Sequence, residues 1–182
     1  LPLSLLPAQA ALKEGERAPS FQLQASLNGK AFVYSLQEQL KQGPVVVYFY
    51  PSAFTGGCNI QARQFAVKQE QFAAAGASVI GVSLDSIARL NDFSADPASC
   101  AGKLAVASDP DGKVARAFAL EIHQAGTGKK DTRGMEIDHD FTERTTFIVT
   151  QEGKVATSIG GVSPFDNVEQ ALRAVQKLAA KP

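Results

Sequence analysis

Six consecutive positions, Val45-Val46-Val47-Tyr48-Phe49-Tyr50, are β-branched or aromatic. An unbroken apolar run of that length predicts a central strand buried on both faces. The pattern before it differs. Phe21-Gln22-Leu23-Gln24 alternates like a half-exposed strand, Asn28-Gly29 signals a hairpin turn, and Ala31-Phe32-Val33-Tyr34 is the return strand. Ser35 to Lys41 predicts a short helix capped by Ser35, with Gly43-Pro44 beyond its end. After the central strand comes a Pro/Gly loop. Cys58, Ala62, Phe65 and Phe72 then share one helical face, predicting a helix from Cys58 to Ala75 that Gly76 ends.

The second half continues the alternation. Val79 to Ser83 reads as a strand, and Asp85 or Ser86 caps a helix through Ile87, Leu90 and Phe93 that Pro97 interrupts. Leu104 to Ala107 is a short strand, Pro110-Asp111-Gly112 a turn, and Val114 to Leu120 a short helix. Residues 121–143 are polar and have no period, so they read as a loop or irregular hairpin. Thr145 to Thr150 and Val155 to Ile159 form a hairpin through Glu152-Gly153. Ser163-Pro164 opens a last helix with the stripe Val168, Leu172, Val175 and Leu178. Strands alternating with helices, with antiparallel strands at the ends, give an α/β fold on a mixed sheet.

Composition narrows the classes. The 182 residues suit one domain, taken as residues 12–182, behind an arm at 1–11. Apolar content of 45% and charged content of 20% are ordinary for a globular chain. A formal net charge of zero argues against a nucleic-acid or anionic-membrane partner. No stretch is long and apolar enough to span a bilayer. Leu1 to Ala10 is an apolar run ending in Ala8-Gln9-Ala10, like the tail of a secretory signal. It predicts export, to the periplasm or an equivalent compartment. The alternative is an apolar arm packed on a cytoplasmic domain.

The candidate chemistry centres on Cys58, one of two cysteines. A helix start has unpaired N–H groups and the positive end of the dipole, which bias a thiol toward thiolate. The alternative is a small buried hydrophobe, the common fate of a free cysteine. His123 and His139, the only histidines, lie in the irregular segment, with no pairing at metal-ligand spacing. No glycine-rich phosphate loop is present, so neither a metal nor a cofactor is expected.

Pro51, Thr55 and Cys58 spell P-x-x-x-T-x-x-C. This resembles the active-site signature of the peroxiredoxins, thiol peroxidases on a thioredoxin-like fold. The likeness extends through Leu12–Phe21, Gly81–Ser86, Ala107–Gly112 and Glu143–Val149, in register from about Leu12 to Leu178. The resemblance implies that Cys58 attacks the peroxide and that Thr55 accepts a hydrogen bond from it. It implies that Pro51 shields the pocket and that Arg144 favours the thiolate and donates to the peroxide. Taken alone, Arg144 would be a surface strand residue. Gln61, one turn after Cys58, stands where relatives carry Glu or Gln, which implies a role in orienting the arginine or the loop; it reads equally as a solvated helix residue and is left out of the site.

Cys100 follows the break at Pro97 and precedes Gly102, which suggests a weak, breakable turn. The arrangement resembles the Q-type (bacterioferritin-comigratory) peroxiredoxins. It implies that Cys100 resolves the Cys58 sulfenic acid as an intramolecular disulfide, although alone it would read as an unreactive thiol. The expected partners are a peroxide and a thioredoxin- or glutaredoxin-type reductant, with the chain a monomer or at most a weak homodimer. Two rivals remain. A thioredoxin-like disulfide oxidoreductase needs Cys-x-x-Cys, but Thr55 and Gln61 stand three positions either side of Cys58. A binding domain with a structural Cys58–Cys100 disulfide fits the cysteine count.

Overall fold

The computed structural model describes residues 11–181; the signal-like stretch at 1–10 lies outside them. The chain forms β1 (Gln22–Leu27), β2 (Lys30–Ser35), α1 (Leu36–Leu40), β3 (Val45–Phe49), α2 (Gly56–Val67), α3 (Gln69–Ala74), β4 (Ser78–Ser83) and α4 (Ile87–Ala95). It continues through β5 (Ala105–Ser108), α5 (Lys113–Ala117), β6 (Ile122–His123), β7 (Phe141–Thr142), β8 (Thr145–Val149), β9 (Val155–Gly160) and α6 (Pro164–Ala179). Seven strands make one sheet in the order β2-β1-β5-β4-β3-β8-β9, and β6 and β7 form a separate small pair. β3 runs parallel to β4 and antiparallel to β8, so the sheet is mixed. Helices cover both of its faces.

β3 explains the layering. All five of its residues are buried. Val46, Tyr48 and Tyr50 point into a core built with α2, α3, α4 and α6. Val45, Val47 and Phe49 point into the opposite core, built with α1 and α5. The uninterrupted apolar run is the price of having helices on both sides.

Local signals set most element ends. Asn28 and Gly29 both take positive φ, 50° and 80°, as a two-residue type I′ turn requires. Ser35, Ser86 and Ser163 each accept a hydrogen bond from a first-turn N–H of α1, α4 and α6. Asp85, the other cap candidate, is taken up elsewhere. Gly76, at φ 79°, donates to the Ala73 carbonyl while Ala77 donates to that of Phe72, closing α3.

The helix expected from Cys58 to Ala75 differs at two points. It begins two residues earlier, at Gly56, so Cys58 is its third residue. It also breaks at Lys68, where φ −95° and ψ 10° separate α2 from α3. The Lys68 ammonium there pairs with Glu169 of α6 at 2.6 Å. Residues 121–143 are mostly irregular, as expected, apart from β6, β7 and a Lys130–Glu136 bridge.

Candidate active site

The loop from Tyr50 to Thr55 joins the end of β3 to the start of α2. Thr55 occupies the N-cap position, but its hydroxyl does not cap. It donates instead to the Ser52 carbonyl at 2.7 Å. The first-turn N–H groups therefore have no side-chain cap and stay available to an anionic or polar oxygen. Cys58 lies in that turn, only 1% exposed, and Pro51 is half-buried at the front of the loop.

β8 delivers the arginine. Its antiparallel register with β3 sets Thr145 against Phe49, so Arg144 follows opposite the beginning of the loop. Its Nη2 donates to Cys58 Sγ at 3.4 Å and its Nη1 to Gln61 Oε1 at 2.6 Å. Gly57 makes room for this reach, since a Cβ there would lie 3.1 Å from Arg144 Nη2 and 3.2 Å from Pro164. Gln61 is fully buried and donates to Asn167 Oδ1 at 3.0 Å. Asn167 Oδ1 also accepts from the Thr146 hydroxyl at 2.5 Å, and its Nδ2 donates to the Ile159 carbonyl. One buried polar chain thus runs from α6 through α2 to the guanidinium that touches the sulfur.

A second polar cluster holds the loop from the other side. Asp85 is fully buried. Its Oδ2 accepts from the Ala53 N–H at 2.9 Å and from the Ser83 hydroxyl at 2.6 Å. Its Oδ1 accepts from Arg89 Nε at 2.9 Å and faces His139 Nε2 at 2.8 Å. Arg89 also donates to the Ala53 carbonyl at 3.0 Å and to Asp131 Oδ2 at 2.9 Å. Ser52 Oγ lies 3.2 Å from the same His139 nitrogen that faces Asp85. A hydrolytic triad uses the two ring nitrogens separately, so this is no Ser–His–Asp triad.

The chain matches the AhpC/TSA family over residues 15–158. It belongs to that family. The peroxiredoxin Bcp of Bacillus subtilis is 29% identical over 167 residues, which cover 92% of this chain and 97% of that one. Among solved structures, the peroxidoxin BcpB of Mycobacterium tuberculosis matches with a TM-score of 0.75 at 27% identity, covering 92% and 98%. The bacterioferritin comigratory protein of Xanthomonas campestris, which has alkyl peroxide reduction activity, matches with a TM-score of 0.69 at 27% identity, covering 93% and 99%. The chain is a thiol peroxidase of the Bcp type on a thioredoxin-like fold, acting on peroxide at the expense of a thiol reductant.

Within this peroxiredoxin, Thr55, Cys58 and Arg144 come together around the start of α2, and Pro51 lies half-buried on the loop that leads into it. Among the described residues, no side-chain hydrogen bond joins Cys100 to the polar groups around Cys58. Cys100 is fully buried in the apolar layer that also holds Cys58, and both thiols are free. Burial, and secondarily the Asp96 carboxylate, pushes the Cys100 pKa well above its ordinary value. Its turn is better tied than the sequence suggested. Ser99 and Ala101 both donate to the Asp96 carbonyl, and Gly102 donates to that of Ser94. The weak point is Ala101, a non-glycine held at φ 54°.

Sequence reasoning missed His139, Asp85 and Asn167, and it left open whether Gln61 orients the arginine, as it does here. Gln61 stood one turn from the cysteine, which was a usable signal. Gln61→Leu should cost about 2 kcal/mol in a denaturant titration, because it strips buried Asn167 of a partner. It should also slow peroxide reduction by freeing Arg144 to swing. Glu121, His123 and Glu143 bring ligand-type atoms within 4.8 Å of one another, a grouping that spacing could not show. Exposed acidic groups often gather this way, and we assign no metal to them.

Proposed function

We propose that Cys58 is the peroxide-reacting thiol and that Cys100 resolves its sulfenic acid as an intramolecular disulfide. The observation that carries the first half is the 3.4 Å hydrogen bond from Arg144 to Cys58 Sγ in the uncapped first turn of α2. In the first step the Cys58 thiolate attacks one peroxide oxygen. The S–O bond forms, the O–O bond breaks, and the leaving oxygen departs as water or an alcohol after taking a proton. Arg144 and the N–H groups of the first turn stabilise negative charge that moves from sulfur to oxygen. Thr55 orients the peroxide and Pro51 shields the pocket. The substrate class is hydrogen peroxide and organic hydroperoxides, in line with the activity of the Xanthomonas campestris relative.

In the second step the Cys100 sulfur attacks the Cys58 sulfenic sulfur. The S–S bond forms, and hydroxide leaves and is protonated to water. Cys100 must first lose a proton that burial holds tightly, so the segment around it has to open to solvent. A disulfide needs the two Cα atoms within about 7 Å, and that separation sets how far the first turn of α2 has to open with it. A thioredoxin- or glutaredoxin-type dithiol then reduces the disulfide, and the chain works as a monomer or weak homodimer.

The test is one equivalent of hydrogen peroxide added to reduced protein, followed by mass spectrometry and non-reducing electrophoresis. The wild type should lose two thiols without gaining mass from a second chain. Cys100→Ser should stop at a sulfenic acid or link two chains through Cys58, and should lose turnover with a dithiol reductant. Normal turnover by Cys100→Ser, with no internal disulfide in the wild type, would assign resolution to an external thiol.

A further inference from the structure

We propose that His139, as an imidazolium, is a positioning residue for peroxide reduction: it clamps Ser52 and Ala53, and through them the segment that carries Thr55 and Cys58. The argument begins with what its ring faces. Nδ1 lies 2.8 Å from the Asp140 carbonyl oxygen, and Nε2 lies 2.8 Å from Asp85 Oδ1. A carbonyl and a carboxylate only accept, so both ring nitrogens donate and the ring is a cation. Phe141 closes on it edge-on at 5.9 Å, and its side chain is 9% exposed.

Charge balance agrees with that protonation state. Asp85 and Asp131, both with fully buried side chains, face two cations, Arg89 and His139. Arg133 also touches Asp131, but it is more exposed and reaches out to Asp92. A neutral His139 would leave a buried carboxylate charge without its nearest counter-charge and a lone pair facing Asp85. Either is costly in a desolvated site.

The grip on the loop is residue by residue. Ser52 Oγ lies 3.2 Å from His139 Nε2, and the Ser52 carbonyl accepts from the Thr55 hydroxyl. Ala53 has its N–H on Asp85 and its carbonyl on Arg89. Phe54 is held at φ 58°, with the Arg133 guanidinium 3.6 Å above its ring and its carbonyl accepting from the Thr132 N–H at 2.7 Å. A non-glycine residue persists at positive φ when its surroundings over-determine it. Loss of the His139 proton turns Nε2 from donor to acceptor, which reverses its contact with the Ser52 hydroxyl, ends its donation to Asp85 and so weakens the Asp85 tie to Ala53, and the loop relaxes.

The pH dependence follows from the pair. Burial pushes the His139 pKa down, but the hydrogen bond and charge of Asp85 outweigh burial and raise it. The nearby Arg89 charge opposes them only weakly. Burial pushes Asp85 up, but His139, Ser83 and the Ala53 N–H outweigh it and lower its pKa. A raised histidine contributes in full below its ordinary value near 6.5 and loses the contribution as pH rises through the folded value. The lowered Asp85 contributes above 3.8 and loses it as pH falls through its folded value. The clamp is therefore strongest in the mildly acidic range and releases on the alkaline side.

The test compares wild type with His139→Gln by single-turnover stopped flow with hydrogen peroxide, from about pH 6 to about pH 9. Taking the ratio of the two rate constants at each pH cancels the pH effects common to both proteins. Wild type should lead by about tenfold at the acid end, the worth of roughly one hydrogen bond to a charged group, and the ratio should fall toward one at the alkaline end. A ratio that stays flat across the pH range in which the NMR titration shows the His139 ring losing its proton overturns the proposal. This arm rests on Cys58 as the reacting thiol; hydrogen exchange at the Ala53 amide does not, so the two readings can fail separately. Protection of that amide should fall in the same pH range in wild type only. With only two histidines, the His139 ring nitrogens are readily assigned by NMR. A neutral ring at about pH 6 would overturn the proposal even if His139→Gln failed to fold.

Discussion

Cys58→Ser is expected to abolish peroxide reduction and leave the fold intact. The sulfur is 1% exposed and packs in the layer formed by Tyr48, Tyr50, Ala62 and Phe65. A serine hydroxyl is slightly smaller and can accept the same Arg144 hydrogen bond, so stability should change by only about 1 kcal/mol. The chemistry is another matter. An alcohol is not ionised at neutral pH, and an oxygen nucleophile cannot take the sulfur's place on the oxidation ladder. Stopped-flow consumption of hydrogen peroxide by the reduced variant decides the point. The other thiol, Cys100, has its pKa raised by burial and, among the described residues, has no guanidinium donor, so it should not rescue the reaction. Appreciable remaining activity would place the nucleophile elsewhere.

How far the sequence carried depended on how local each signal was. β3 was legible because burial on both faces demands an apolar residue at every position, and Val45–Phe49 supply it. The serine caps and the Asn28-Gly29 turn were legible because a few adjacent residues specify them. Cys58, Thr55 and Arg144 could be found only by likeness to a known pattern, since no period links residue 144 to residue 58. The register between β3 and β8 brings them together, and that register is a property of the folded sheet.

What was missed is long-range and polar. Gln61 reads equally as a solvated helix residue and as a support for the arginine until α6 lays Asn167 against it and removes the water. His139 lies in a segment with no hydrophobic pattern, yet it is mostly buried because Asp85 and Ser52 reach it from the end of β4 and the loop after β3. Asp85 looked like a helix cap, but Ser86 does that work and leaves Asp85 free for the loop. The break at Lys68 had no local mark, because Lys68, Gln69, Glu70 and Gln71 all suit a helix interior.

Arg144→Ala should slow the reaction of Cys58 with hydrogen peroxide by about a hundredfold to a thousandfold, the usual effect of removing one donor that faces developing negative charge. The guanidinium is well placed for so large an effect. Among the described residues no carboxylate lies within ion-pair distance of Arg144, so its charge is not neutralised. Its second donor is fixed on Gln61 at 2.6 Å, and Gln61 is fixed on Asn167, so the fork is oriented before any peroxide arrives. Little reorganisation is then left for the moment of reaction. Arg144→Lys should recover only part of the rate, because an ammonium restores the charge without the rigid fork that spans Gln61 and Cys58. Stability should fall by only about 1 kcal/mol, since Arg144 is half-exposed and water can replace it on Gln61. Arg144→Ala combined with Gln61→Leu should be little slower than Arg144→Ala alone, because Gln61 acts through the arginine. Stopped-flow peroxide kinetics on the three variants, with iodoacetamide alkylation at neutral pH beside them, reads all of this. Unchanged peroxide and alkylation rates in Arg144→Ala would remove the arginine from the site.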